Sequence, residues 1–238
     1  MLGVVLVLAL LSLPALARLL EVRARRRTRH RAWLAVGPPQ VSTEPLRGWK
    51  VAQVVVGPDA RAWLAGVTGR AYGVDAVAGC ERAACTAPGL DCRCGFYAFR
   101  DRDRAMTLMS ELDARDRAAT YALLSVDLDG EVLELEHGFR AARQRVHRVE
   151  LAGTCATCRT QGHLRPAPHL LAHPTFRAER VLAQPSPAGD WTALPPGSAP
   201  VRAVCAEHRP SRGGDVLDLD RLRTLLTTEV TRLPSPGA

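Results

Sequence analysis

The donors whose spacing points to chemistry in this chain are seven cysteines and one histidine. Cys80, Cys85, Cys92 and Cys94 place four thiols within fifteen residues, with Pro88, Gly89 and Gly95 bending the backbone between and after them. A tetrahedral zinc ion needs four donors at about 2.3 Å, and thiolates are its soft ligands. Further on, Cys155-Ala-Thr-Cys158 is a CxxC and Cys205-Ala-Glu-His208 a CxxH. Each is a tight turn that aims two donors at one point, and together they make the Cys₃His set of a structural zinc ribbon. The 46 residues between the halves exceed the usual ribbon loop, so an insertion rich in Pro, Ala and His is implied. An odd cysteine count excludes complete disulfide pairing. Seven cysteines and His208 instead divide into four and four, enough for up to two structural zinc ions. For the first group, reduced structural thiols and disulfides stay open, because its x4, x6 and x1 spacings are less regular than a CxxC.

Neither group reads as catalytic. A catalytic zinc keeps an open position, and a four-sulfur site has none. His163, His169 and His173 lie among prolines and read as a solvated loop. His137 and Arg140 form the one further cluster that could face a ligand. The chain has no Gly-rich phosphate loop, no nucleophile elbow and no HExxH.

The elements that must position these donors follow from periodicity. Trp49 to Val56 is β-branched and stopped by Gly57-Pro58, which predicts a strand. Residues 60–67 read as a second strand or a helical turn. Asp101 to Ala119 predicts a helix with Ala105, Met109, Leu112 and Ala119 on its inner face. Two apolar runs, 121–128 and 131–136, flank Asp129-Gly130, a hairpin signal, and His137-Gly138 marks a further turn before an extended run from Phe139 to Leu151. Residues 215–232 predict one helix capped by Asp215. The expected fold class is α+β: an N-terminal membrane helix, a small β-rich domain with one helix and the Cys cluster, and a zinc-ribbon-like module ending in a helix. The domain reading is 1–31 as anchor and basic stripe, 32–45 as linker, 46–151 as β-rich domain and 152–238 as ribbon-like module.

Met1 to Ala17 carries no charged side chain, and with Arg18 snorkelling the apolar run reaches Leu20. Residues 18–31 hold seven arginines against Glu21, a net of +6. Positive charge on the C-terminal side predicts a single-pass anchor in the cell membrane, with residues 2–20 and the Arg18–Arg31 stripe as its membrane contacts and the following domains in the cytoplasm. The alternative is a secreted chain cleaved after Ala17, at an A-x-A pattern that lacks a basic n-region. The whole chain carries +8, so only +2 remains outside the stripe, which speaks against nucleic acid as a partner.

Gly48-Trp49-Lys50, Cys80, Pro88, Cys92-x-Cys94-Gly-Phe-Tyr-Ala98 and Gly130-x-Val-x-Glu-x-x-His137-Gly138-Phe139-Arg140-Ala141 resemble an uncharacterised actinobacterial family with a CxCGxYA…HGYRA-type motif. The resemblance covers about residues 46–150 and implies no activity. Cys85 stands where those relatives tend to have His, an exchange that keeps a zinc-competent donor. The expected function is a membrane-tethered, zinc-binding adaptor without catalytic activity, serving an unknown protein partner. The alternatives are a nucleic-acid-binding zinc protein, or an enzyme using His137 and Arg140.

Overall fold

The computed structural model describes residues 37–59, 61–67, 71–80, 85–115, 120–172, 197–209 and 215–234. Among the described residues, twelve strands carry the architecture. β1 is Gln40–Val41, β2 Leu46–Val56, β3 Ala62–Gly66, β4 Ala71–Tyr72, β5 Asp75–Val77, β6 Phe96–Phe99, β7 Tyr121–Leu135 and β8 Gly138–Leu151. β9 is His169–Ala172, β10 Ala199–Val204, β11 Asp215–Leu217 and β12 Glu229–Arg232. Helices are α1 (Arg102–Arg115), α2 (Ala156–Thr160) and α3 (Leu219–Leu226), with a 3₁₀ turn at Ala206–His208.

The long β7–β8 hairpin is the frame. β2 runs antiparallel to β7 from Leu46↔Leu128 to Gln53↔Tyr121. β6 joins β8 through Phe96↔Ala141 to Phe99↔Gly138, and meets β2 at Trp49↔Phe99. The pairings β7–β2–β6–β8–β7 therefore close a ring, which leaves these strands without free edges. Along the same edge of β8, β5 follows β6, and then β12 pairs in parallel at Glu229↔Arg148 to Arg232↔Leu151.

Over Tyr121–Leu124 β7 is buried on both faces, which explains the apolar run there. Ala122, Leu124, Val126 and Leu128 face the main core with Phe96, Phe139 and Val149. Tyr121 and Leu123 face the other way, where Ala105 and Met109 of α1 cover them. Each fully buried Leu contributes about 1.5–3 kcal/mol relative to exposure. The main core continues through Leu170, Leu171, Val201, Val204, Leu222, Leu226 and Val230. β10 also pairs with β2 at Ala199↔Val56, so hydrogen bonds and apolar contacts cross the sequence boundary at residue 151.

Several expectations are corrected. Among the described residues the fold is mostly antiparallel β, not α+β. Among the described residues no helix is long and apolar enough to cross a membrane, so nothing in them supports the single-pass reading or the cytoplasmic topology drawn from it. The anchor at residues 2–20 and the arginine stripe lie outside the described residues. Asp129-Gly130 is not the hairpin turn. β7 runs straight through it, with a register shift between Asp129 and Val132 and Gly130 at φ +74°, so the glycine serves a bulge. The chain reverses at Glu136-His137. The single helix at 215–232 is instead strand, helix and strand. Asp218 caps α3 by accepting from the Arg221 N–H, and Thr227 ends it in a left-handed conformation, φ 53°.

Candidate metal centres

The second donor group is built from two knuckles brought together by the sheet. Cys155 precedes α2, and its sulfur accepts from the Cys158 N–H at 3.5 Å. The turn is closed by Cys155 N–H to the Arg165 carbonyl (2.8 Å) and His163 N–H to the Cys158 carbonyl (2.9 Å). Cys205 follows β10 and opens the 3₁₀ turn, where His208 N–H donates to the Cys205 carbonyl at 3.2 Å. Arg159 on α2 pairs with the buried Asp113 of α1 at 3.0 Å, and Arg165 pairs with Glu207 across the two knuckles.

The donor atoms converge. Cys158 and Cys205 sulfurs are 3.7 Å apart, and His208 Nδ1 is 3.7, 3.3 and 3.3 Å from the sulfurs of Cys155, Cys158 and Cys205. Donors around a tetrahedral zinc have S–S edges of about 3.8 Å and S–N edges of about 3.5 Å. The three cysteines are buried and His208 is half-buried. Burial opposes ionisation of Cys155, but N–H groups of Cys158 and Cys205 and the His208 side chain outweigh it and bring its pKa to about 6. Burial and the neighbouring sulfurs of Cys205 and Cys155 push Cys158 up to about 12. Cys155 is thus favoured as a thiolate, and ionising Cys158 next to it calls for a cation among the donors.

The first group sits in the loop between β5 and β6. Sulfur separations are 3.9 Å for Cys80–Cys92, 3.1 Å for Cys85–Cys92, 3.5 Å for Cys85–Cys94 and 2.6 Å for Cys92–Cys94. The cluster is tighter and less regular than the second, and only Cys94 is fully buried. Gly89 is required beneath it: a Cβ there would lie 2.5 Å from the Cys85 sulfur and 2.9 Å from that of Cys92. The Gly89 N–H donates to the Cys94 sulfur at 3.2 Å. Burial opposes ionisation of Cys92, but contacts from Cys94, Cys85 and Cys80 lower its pKa to about 6. Burial and the Cys92 contact push Cys94 up to about 11, and Cys85 is raised chiefly by its hydrogen bond with Cys92. All seven cysteines are free thiols.

Each four-donor group has its ligand atoms within 4.8 Å of one another, so the chain has two places that could hold a metal ion. Arg140 lies under the first of them. It is 5% exposed, and its guanidinium donates to the carbonyls of Cys92 (2.5 Å) and Gly89 (2.7 Å) and to the Tyr97 hydroxyl (3.1 Å). A positively charged side chain thereby fixes both ends of the Gly89–Cys92 turn. His137 sits at the β7–β8 turn, where its carbonyl accepts from the Arg100 N–H at 3.1 Å and its ring lies 3.4 Å from Glu136. His163 is exposed, His169 is in β9, and His173 lies outside the described residues. Sequence reasoning missed Asp113 and Arg159, whose pairing depends on α1 and α2 meeting in space. No protein family matches the chain, and no curated protein or solved structure matches it either.

Proposed function

We propose that this chain is a zinc-binding protein in which two structural zinc ions stiffen a β-barrel that serves as an interaction module, without chemistry at either metal. The observation that carries the reading is the Cys155, Cys158, Cys205 and His208 cluster, whose donor atoms all lie within 4.8 Å of one another and whose Cys158–Cys205 and three S–N separations, 3.3–3.7 Å, match the edges of a zinc tetrahedron. Zinc would be held there by three thiolates and Nδ1 of His208, and in the first centre by four thiolates. Both sets fill a tetrahedral coordination sphere, which favours stability over catalysis. In the second centre the ion would join α2 to the end of β10. In the first it would organise a loop that otherwise has little apolar content.

The test is metal analysis of the full chain purified under reducing conditions, together with unfolding in the presence of a chelator. Two zinc ions per chain, and a lower unfolding midpoint after chelation, are expected. Protein that contains no metal and unfolds identically with and without chelator overturns the proposal.

A further inference from the structure

Of the 32 basic residues in this chain, Lys50 is the one lysine. Every other cationic position uses arginine, whose guanidinium does not lose its proton in proteins. Lys50 lies on β2 in line with Ala52 and Val54, so its stem enters the core enclosed by the barrel. Its Nζ donates to Gln144 Oε1 on β8 at 2.9 Å. It also lies 4.3 Å from the centre of the Tyr72 ring and 4.7 Å from that of Phe96. The two rings meet edge to face, 5.6 Å between centroids at 73°. No carboxylate pairs with this amine among the described residues. Tyr72, Phe96 and Gln144 are 1%, 1% and 2% exposed, whereas Lys50 is half-buried rather than sealed.

We propose that Lys50 is a reactive-amine site that takes small carbonyl compounds, aldehydes or α-keto acids, as a Schiff base. The cluster supplies what that chemistry needs. Gln144 Oε1 holds one N–H and so orients the nitrogen lone pair. Burial pushes the amine down to about 7, which places a large neutral fraction at physiological pH. The lone pair attacks the carbonyl carbon as the C=O π bond breaks, and an amine proton moves to the oxygen, giving a carbinolamine. Loss of that hydroxyl as water, with the second amine proton, leaves the C=N bond. No electrons are gained or lost. When the imine is protonated, the faces of Tyr72 and Phe96 stabilise the cation as they do the ammonium. Tyr72 is kept in its un-ionised form by burial, despite an opposing hydrogen bond from Gln144, so no phenolate forms there to hold the amine as an ammonium.

The site is independent of the metal centres, and the experiment uses the full zinc-loaded chain. Glyoxylate and cyanoborohydride are added at pH 7, and the digested protein is mapped by mass spectrometry. The reduced adduct is expected on Lys50, formed at least about tenfold faster than on a free Nα-acetyl-lysine reference, because a lowered pKa raises the neutral fraction. The pH midpoint of labelling is expected near 7. Unmodified Lys50 beside a labelled N-terminal amine overturns the proposal. So does labelling no faster than the reference with an ordinary lysine midpoint, which would leave Lys50 as a cation held by two rings.

Discussion

Replacing Arg140 by Met tests whether the first centre depends on a residue that is not a ligand. The guanidinium gives charged hydrogen bonds to the carbonyls of Cys92 and Gly89, at 2.5 and 2.7 Å. Hydrogen bonds to charged groups contribute about 1.5–3 kcal/mol each. Both Gly89 and Cys92 are half-buried, so water can reach their carbonyls when the guanidinium is gone. Rehydration of the two carbonyls therefore brings the net loss below the roughly 3–6 kcal/mol of the two bonds together, to about 2–3 kcal/mol of positioning energy for the loop. At about 1.4 kcal/mol per factor of ten, zinc affinity at the first centre should fall roughly 30- to 150-fold. Competition titration against a colorimetric chelator resolves the two ions, and the second centre, built from α2 and the end of β10, is the internal control. Equal weakening of both centres, or an unchanged first centre, would refute the claim that Arg140 acts by holding this loop.

Two further outcomes follow from the geometry. Gly138→Ala would place a Cβ 2.0 Å from the Ala98 carbonyl oxygen and 2.9 Å from Phe99 Cα, so β6 and β8 must separate. A loss of about 2–4 kcal/mol is expected, measured by urea unfolding, and a change under about 0.5 kcal/mol would contradict the packing. The Lys50 amine has a folded pKa near 7 against 10.5 when unperturbed. Its folded form binds fewer protons than the unfolded chain between those values, so its burial penalty is complete below pH 7 and fades as pH rises towards 10. Unfolding free energies of the natural chain, measured in urea, should therefore rise relative to Lys50→Met over pH 7–9.5, by up to about 1.4 kcal/mol per pH unit. Parallel curves would show that the amine is not desolvated.

The sequence by itself determined the donor sets and the long strands β2, β7 and β8. Cysteine spacing is local information, and a CxxC or CxxH turn aims its donors whatever surrounds it. The β-branched run 49–56, the extended run 139–151 and the helix over Ala105 and Met109 were legible for the same reason, because each buries a periodic face. Asp129-Gly130 was misread because a glycine at positive φ serves a hairpin turn and a bulge equally well, and only pairing with Ala141 and Arg143 decides between them. The span 215–232 was misread because Val230 fits a helical stripe as well as a strand edge, until β8 offers it hydrogen bonds. Arg140 looked ligand-facing from its place beside His137. Tertiary structure turned it under the Gly89–Cys92 loop, because β6 lies beside β8 and carries that loop over it. Lys50 shows the same division. Its solitude was visible in the composition, but the rings of Tyr72 and Phe96 and the amide of Gln144 reach it only when the barrel closes.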